Sequence, residues 1–269
     1  MESSFIMYGN KKVDNTLNPN LMTPFLKITQ IAELKELIKL ITDQFLITKR
    51  PLKILDIGTG DGRIPLALSE NDVWEKIDLF IGIENSQLEV QKAIKSIQNN
   101  KLDDKVKIIY LDALDLGNKK EKLPEQQYDL IICTYFTPGN FKPDEIKIET
   151  DKNGHIVSYP KESLNPNRNF IKVFRAAYEM LDSNGKIFLG SIYIDTDENR
   201  KRQEDFYKKC GMNLITSNKD EFTATKEGFW SERFTKEKLY KYLYWLKKKN
   251  IVIIPLDSYN FAESVIISK

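Results

Sequence analysis

Residues Lys53–Leu68 read KILDIGTGDGRIPLAL, and this stretch constrains the fold more than any other part of the sequence. An apolar run ends in an aspartate, three glycines alternate with polar residues, and an amphipathic segment follows. Gly58, Gly60 and Gly62 lack the Cβ that would block a sharp turn or a close approach of the backbone to a ligand. The pattern predicts a strand-to-helix turn at the carboxyl end of a parallel sheet, where open α/β folds bind nucleotides.

Two kinds of nucleotide ligand compete for this loop. A dinucleotide needs the spacing G-x-G-x-x-G, whose third glycine packs the helix, and here that glycine would fall on Arg63. The observed spacing is G-x-G-x-G, preceded by Asp56 and interrupted by Asp61. Carboxylates so close to the loop would repel a pyrophosphate but suit a cationic ligand. S-adenosylmethionine carries a sulfonium and an ammonium group, so it fits this charge pattern.

The segment LDIGTGDGRI resembles the first motif of class I S-adenosylmethionine-dependent methyltransferases, with every glycine in place. Later segments agree with it in order and spacing. Leu79–Glu84 is a short apolar run ending in an acid, and Glu84 follows Gly62 at about the 20-residue offset of a ribose-binding acid. Val106–Leu111 is a third apolar run with Asp112 directly after it. The resemblance implies that an acid there contacts the exocyclic amine of adenine.

The rest of the chain continues this order. The resemblance implies an α/β fold with a doubly wound, mostly parallel seven-stranded sheet and an antiparallel last strand, with insertions after strands four and five. Tyr128–Phe136 predicts the fourth strand. Asn169–Leu181 predicts a helix, Ser183–Gly185 its exit turn, and Lys186–Ser191 the fifth strand. Ile251–Leu256 and Ala262–Ser268 predict an antiparallel pair that closes the sheet.

Local patterns predict further elements. Residues 1–28 are expected to be irregular, because Asn18-Pro19 and Thr23-Pro24 interrupt them. Asn153-Gly154 between alternating runs predicts a hairpin, with His155 as a surface residue beside its turn. Helical patterns are predicted over Ile28–Phe45, Asn85–Asn100, Asp197–Cys210 and Thr235–Lys249, the last with Thr235 as its N-cap.

We interpret the 269 residues as a single methyltransferase domain. Its parts are an N-terminal extension and helix (1–50), a cofactor-binding core (51–192), a substrate-side insertion (193–234), and a final helix and strand pair (235–269).

Composition excludes several classes of protein. With 41% hydrophobic and 30% charged residues, the chain is not disordered as a whole. No apolar stretch reaches the roughly 18 residues of a membrane span, and the N-terminus lacks a secretory signal. A net charge of +2 is too balanced for an extended nucleic-acid footprint. Two cysteines, Cys133 and Cys210, suit a reducing cytoplasm.

The resemblance implies two sets of site residues. Methyl transfer from a sulfonium needs positioning and exclusion of water rather than an acid, so we nominate no catalytic residue, and no metal-ligand constellation appears. The expected cofactor contacts are Asp56, Gly58, Thr59, Gly60, Gly62, Arg63, Glu84, Asn85, Asp112, Ala113, Cys133 and Thr134. The expected acceptor contacts are Tyr135, Phe136, Asn140, Trp230 and Arg233.

The methyl acceptor is less constrained. The sequence CTYFTPGNF lacks the Asn/Asp-Pro-Pro-aromatic motif of many enzymes that methylate amines in nucleic acids or proteins. Its GNF ending is locally similar to small-molecule N-methyltransferases, including histidine methyltransferases, in which the asparagine faces the substrate. Phe229, Trp230 and Phe234 are candidates for a hydrophobic lid, and Arg233 could pair with a substrate carboxylate.

The sequence therefore predicts a methyltransferase that uses S-adenosyl-L-methionine and acts on a small molecule. Three alternatives stay open: an RNA or protein methyltransferase, a protein that binds the cofactor without catalysis, and an aminopropyl transferase. The last would need an acidic polyamine groove, which the sequence does not locate.

Overall fold

A computed structural model describes residues 10–119, 123–144, 146, 149–150, 156–158, 166–216 and 221–269. The strands are, in chain order, β1 Leu52–Ile57, β2 Ile77–Glu84, β3 Val106–Tyr110, β4 Tyr128–Cys133, β5 Glu149–Thr150, β6 Ile156–Ser158, β7 Leu181–Tyr193, β8 Phe222–Ala224, β9 Trp230–Glu232, β10 Ile251–Pro255 and β11 Ala262–Ser268. The helices are α1 Lys11–Asp14, α2 Pro24–Thr48, α3 Arg63–Ser69, α4 Gln87–Asn99, α5 Leu116–Lys119, α6 Arg168–Glu179, α7 Asp197–Lys209 and α8 Lys236–Tyr242.

Seven strands form one sheet in the order β10-β11-β7-β4-β1-β2-β3. The β1, β2, β3, β4 and β7 strands pair in parallel, and β11 pairs antiparallel with β7 and β10. This arrangement confirms the predicted fold class. In such a sheet the carboxyl ends of β1 to β4 meet along one edge, and the chain reverses its direction of winding beside β1 and β4.

Apolar layers cover both faces of the sheet. Neighbouring residues of a strand point to opposite faces, so Ile131 belongs to a core cluster with Phe170 and Phe174 of α6. Ile132 belongs to the opposite cluster, with Leu37 of α2. Burial on both sides explains why these strands read as continuous apolar runs.

The start of α2 corrects the prediction that residues 1–28 are irregular. The helix begins at Pro24, because proline suits the first helical position and the Thr23 hydroxyl accepts a hydrogen bond from the Leu26 amide. A further short helix, α1, precedes it.

Three predicted boundaries near the sheet also differ. Residues 182–185 do not form a separate turn: they bulge from β7, whose pairing with β4 jumps from Leu181 to Lys186. The fourth strand ends at Cys133 because Tyr135 and Phe136 have positive φ angles of 52° and 64°. The helix that Thr235 caps ends at Tyr242 rather than Lys249.

Two hairpins lie outside the main sheet. The antiparallel pairing of β5 with β6 confirms the hairpin predicted from Asn153-Gly154, although this turn and His155 lie outside the described residues. Within the second insertion, β8 and β9 form another antiparallel pair after α7. No helix in the described part of the chain combines the length and the apolar composition of a membrane span.

Candidate active site

The glycine loop joins β1 to α3 at the tip of the sheet. Gly58, Gly60 and Gly62 all have positive φ, at 75°, 56° and 83°. The amides of Gly58 and Thr59 donate to the carbonyl of Ile83 at 2.9 and 3.0 Å, which fastens the loop to β2. The loop is therefore held by its backbone, and its shape depends on residues that tolerate left-handed φ angles.

The three glycines serve different purposes. A Cβ on Gly58 would lie 2.6 Å from Cγ2 of Thr137, so the loop after β4 packs directly on this glycine. A Cβ on Gly62 would meet Ala93 of α4 at 3.4 Å. A Cβ on Gly60 would meet nothing within 4 Å. Gly60 is thus the glycine that opens onto free space.

Glu84 ends β2 and faces the loop. Its Oε2 accepts a hydrogen bond from the Gly60 amide at 3.1 Å, and its Oε1 accepts one from the Ser86 amide at 2.9 Å. The side chain is 5% exposed. Burial raises the pKa of this carboxyl, and the backbone hydrogen bonds oppose the rise. The contacts fix the carboxyl group at the edge of the open space above Gly60.

Asp112 follows β3 on the same edge of the sheet. Its Oδ1 accepts a hydrogen bond from the Leu114 amide at 2.9 Å and caps the 3-10 helix Ala113–Asp115. One carboxylate therefore stands at the end of β2 and another directly after β3, as predicted.

A cleft of about 1080 Å³, counting its open mouth, runs across these strand ends. It brings together most of the predicted cofactor contacts and two of the predicted acceptor contacts. Those lining it are Gly58, Thr59, Gly60, Arg63, Glu84, Asn85, Asp112, Ala113, Thr134, Tyr135 and Asn140.

Three predicted cofactor contacts do not line the cleft. Asp56 is fully buried beneath the loop, where burial raises the pKa of its carboxyl to about 7. Cys133 is buried in the core, and burial raises the pKa of its thiol. Gly62 packs against α4 instead. The expectation that the Asp56 charge faces the ligand is thus corrected, and the acids that do line the cleft are Asp61, Glu84, Asp112 and Asp144.

A second, smaller cavity of about 450 Å³, counting its open mouth, lies beside the cleft, and we call it the aromatic chamber. Leu17, Arg63, Tyr135 and Asn140 line both cavities. The remaining lining residues of the chamber are Thr16, Met22, Leu26, Gln30, Phe136, Tyr193, Phe206, Tyr207 and Phe229. The chamber therefore brings Tyr135, Phe136 and Asn140 together, but it draws most of its wall from segments far away in sequence.

A buried acid on α2, Glu33, supports the wall that the two cavities share. Glu33 is 1% exposed, and its Oε1 accepts a hydrogen bond from the Tyr135 amide at 3.0 Å. Burial raises the pKa of this carboxyl to about 8. The Arg63 guanidinium lies 5.1 Å from the centre of the Tyr135 ring and pairs with Asp61 at 2.9 Å.

The structure does not bring Trp230 and Arg233 to either cavity, which corrects their predicted acceptor role. Trp230 is fully buried, with its ring stacked on Phe222 at 3.9 Å. Arg233 is 1% exposed and pairs with Asp195 at 3.1 Å. Of the three residues predicted to form a lid, Phe229 lines the chamber, whereas Phe234 belongs to the main core.

Several residues that line the two cavities were not predicted from the sequence. Leu17 comes from the N-terminal segment, which carries no motif. Lys142 and Asp144 line the cleft just beyond the predicted acceptor residues, and burial lowers the pKa of Lys142. Asn169 at the start of α6 holds this segment by donating to the Lys142 carbonyl and the Asp144 carboxylate at 2.7 and 3.1 Å. The sequence did contain a signal for this contact, because Asn167 and Asn169 are polar residues at the start of a helix, where such side chains commonly form hydrogen bonds with the backbone.

Comparison with known families identifies the class of protein that this fold and cleft define. A family model described as a methyltransferase domain matches residues 48–246, and the chain belongs to this family. The chain is an S-adenosylmethionine-dependent methyltransferase, and S-adenosyl-L-methionine is its cofactor. No protein of curated function matches the sequence.

Solved structures share the fold at low sequence identity. An S-adenosylmethionine-dependent methyltransferase from Clostridium acetobutylicum ATCC 824 is 12% identical, over 87% of this chain and 91% of that one, with a TM-score of 0.52. A protein from Pyrococcus horikoshii OT3 is 13% identical, over 93% of both chains, with a TM-score of 0.53. Magnesium protoporphyrin IX methyltransferase from Synechocystis PCC 6803, with bound SAH, is 11% identical, over 96% and 97%, with a TM-score of 0.53.

Proposed function

We propose that this methyltransferase acts on a small molecule, which the aromatic chamber holds beside the cofactor in the cleft. The observation that carries the proposal is the shared wall of the two cavities. Arg63, Tyr135 and Asn140 each face both of them.

Two features of the cleft fit S-adenosylmethionine. The free space over Gly60 allows a ligand to approach the backbone closely. Glu84 keeps a carboxylate beside that space, and carboxylate oxygens accept hydrogen bonds from a pair of ribose hydroxyls. We assign Glu84 to the ribose and Asp112, with Ala113, to the adenine side of the cofactor. Asp61 and Asp144 supply negative charge for its cationic groups.

The chemistry explains why the site needs no elaborate catalytic group. When bound, S-adenosylmethionine supplies a methyl group to an acceptor lone pair: the methyl–sulfur bond breaks, its electron pair stays on sulfur, and the acceptor proton leaves to solvent. The protein has to hold the acceptor in line and exclude bulk water. Tyr135 and Asn140 face the acceptor in this proposal, and Glu33 positions Tyr135 through its amide.

The decisive experiment separates donor binding from acceptor class. Calorimetric titration of the purified protein with S-adenosylmethionine and S-adenosylhomocysteine tests the cleft. Incubation with methyl-labelled donor and a metabolite extract, with RNA and protein fractions in parallel, tests the acceptor. We expect label in the acid-soluble small molecules. Label confined to RNA or protein would overturn the small-molecule proposal, and binding without any transfer would favour a non-catalytic protein.

The cytoplasmic location expected from the sequence stays a prediction.

A further inference from the structure

The aromatic chamber is walled largely by rings. They come from the loop after β4, the end of β7, helix α7 and the residue before β9. The rings of Phe136 and Tyr193 stack at a centroid distance of 3.9 Å and an angle of 18°. The rings of Tyr207 and Phe229 lie 4.7 Å apart and tilted by 59°. Because these rings contact one another, they present to the cavity the edges and faces that the pairs leave over, and such edges and faces favour an aromatic neighbour.

The charges around the chamber disfavour a cation. Among the described lining residues, Arg63 is the charged one and none is an acid. A second guanidinium stands behind the wall: Arg233 is fixed against Gln203 and Thr223, and Gln203 donates to the Tyr207 hydroxyl at 3.1 Å. Both guanidiniums are ion-paired, Arg63 with Asp61 and Arg233 with Asp195. A cationic ligand in the chamber would therefore have no carboxylate among the described lining residues to compensate its lost hydration, although aromatic rings alone can attract cations.

One polar atom of the shared wall still needs a partner. Within the described part of the chain, Oδ1 of Asn140 is buried without a hydrogen bond. An amide oxygen can only accept hydrogen bonds, and a buried polar atom left unsatisfied costs stability. Asn140 lines both cavities, so its oxygen lies where an acceptor molecule would come next to the cofactor.

We propose that the chamber binds a planar aromatic acceptor without positive charge, whose ring packs among Phe136, Tyr193, Tyr207 and Phe229 and whose N–H or O–H donates to Asn140 Oδ1. This inference rests on the proposed function and names the class of substrate. A polyamine or another aliphatic cation does not fit it.

The test uses three bicyclic probes of matched size on the full chain saturated with S-adenosylhomocysteine. Calorimetric titration compares 2-naphthol, its saturated analogue decahydro-2-naphthol, and the cation (2-naphthyl)methylammonium. We expect 2-naphthol to bind about 2- to 10-fold more tightly than either of the others, the gain over the saturated probe being that of aromatic pairing. Equal affinities, tighter binding of the cation, or no binding of 2-naphthol would overturn the inference.

Two variants locate the probe in the chamber. Phe229→Leu keeps apolar volume but removes one of the four rings, and it should reduce the preference for 2-naphthol over its saturated analogue. Asn140→Ala should weaken 2-naphthol by about 2- to 10-fold, the value of one hydrogen bond, and leave naphthalene unaffected. Tyr244→Leu is the matched control, because Tyr244 is 65% exposed and outside the chamber. An unchanged probe profile in both chamber variants would contradict the proposal.

The same titrations distinguish a failure of the proposed function from a failure of the inference about the acceptor. Failure of the folded wild-type protein to bind S-adenosylhomocysteine would overturn the proposed function and, with it, the role of the chamber. Normal binding of S-adenosylhomocysteine without aromatic selectivity would overturn the inference about the acceptor alone. Thermal unfolding of each variant verifies that a lost signal is not a lost fold.

Discussion

The cleft and the aromatic chamber share a wall but are built in different ways. The cleft is made mainly of strand ends and the turns that follow them, held by backbone hydrogen bonds such as those from Gly58 and Thr59 to Ile83. The chamber is assembled from side chains as far apart in sequence as Leu17 and Phe229. The difference teaches that the cleft proposed for the cofactor depends on local backbone geometry, whereas the chamber proposed for the acceptor depends on tertiary packing.

The strongest test of this contrast is Gly60→Val. A branched side chain would fill the free space above the loop and would strain a residue with a φ of 56°. We expect no measurable affinity for S-adenosylhomocysteine by calorimetry.

Gly228→Val is the matched control for Gly60→Val. Gly228 has a φ of 89° and open space around its Cβ position, but it lies in the turn between β8 and β9. Its substitution should cost similar backbone strain and leave cofactor affinity unchanged. Comparable affinity loss in both variants would show that strain, rather than the filled space, is responsible.

Trp230→Ala tests the packing that supports the chamber. Removing a fully buried tryptophan should cost about 3–5 kcal/mol of unfolding free energy, measured by urea denaturation. Cofactor affinity of the remaining folded protein should stay close to that of the wild type. Trp74→Ala, at a half-buried position in the 3-10 helix Asp72–Lys76 that precedes β2, should cost less. A change in acceptor affinity without a loss of stability would return Trp230 to the acceptor site.

Glu84→Ala removes both an anchor of the glycine loop and the proposed ribose contact. Hydrogen bonds to charged groups contribute about 1.5–3 kcal/mol, so affinity for S-adenosylhomocysteine should fall by about 10- to 100-fold. Asp78→Ala, an exposed acid in the same strand, should have no effect. Retained affinity in Glu84→Ala would remove the assigned role.

The last expected effect is one of pH and concerns Glu33, whose carboxylate accepts a hydrogen bond from the amide of Tyr135 in the wall shared by the two regions. Burial raises the pKa of its carboxyl from 4.5 to about 8. Between these values the folded protein keeps a proton that the unfolded chain has released, so stability falls as pH rises across this window, by at most about 1.4 kcal/mol per pH unit for one group. Asp56, with a pKa of about 7, acts in the same direction.

Glu33→Gln should therefore lose less stability than the wild type between pH 5 and pH 8. Urea denaturation at several pH values measures the difference. Glu36→Gln, at a partly exposed position on the same helix, should follow the wild-type profile. Parallel profiles for Glu33→Gln and the wild type would contradict the buried, protonated acid.

The sequence predicted the cleft well because its parts are local. The glycine spacing, Glu84 and Asp112 each follow a strand whose apolar run is visible, and parallel strands bring such ends together. The burial of Asp56 was not visible in the sequence, because burial of a residue near the end of a strand depends on what packs over it.

The chamber was only partly predictable for the same reason. Adjacent residues of a strand face opposite sides, so the order Phe229-Trp230 does not say which ring faces the acceptor until the partner strand is known. Arg233 lies in the same short segment, and its guanidinium forms a buried ion pair with Asp195. Leu17 carries no motif at all, and only its place in the folded chain brings it to both cavities.

The position of β11 has a consequence for how the protein is made. This strand lies between β7 and β10, so β7, which pairs with β4 on one side, gains its partner on the other side only through residues 262–268. A ribosome produces those residues after every other strand of the sheet. Until they emerge, the nascent chain carries an open strand edge, the kind of surface on which unrelated chains can aggregate.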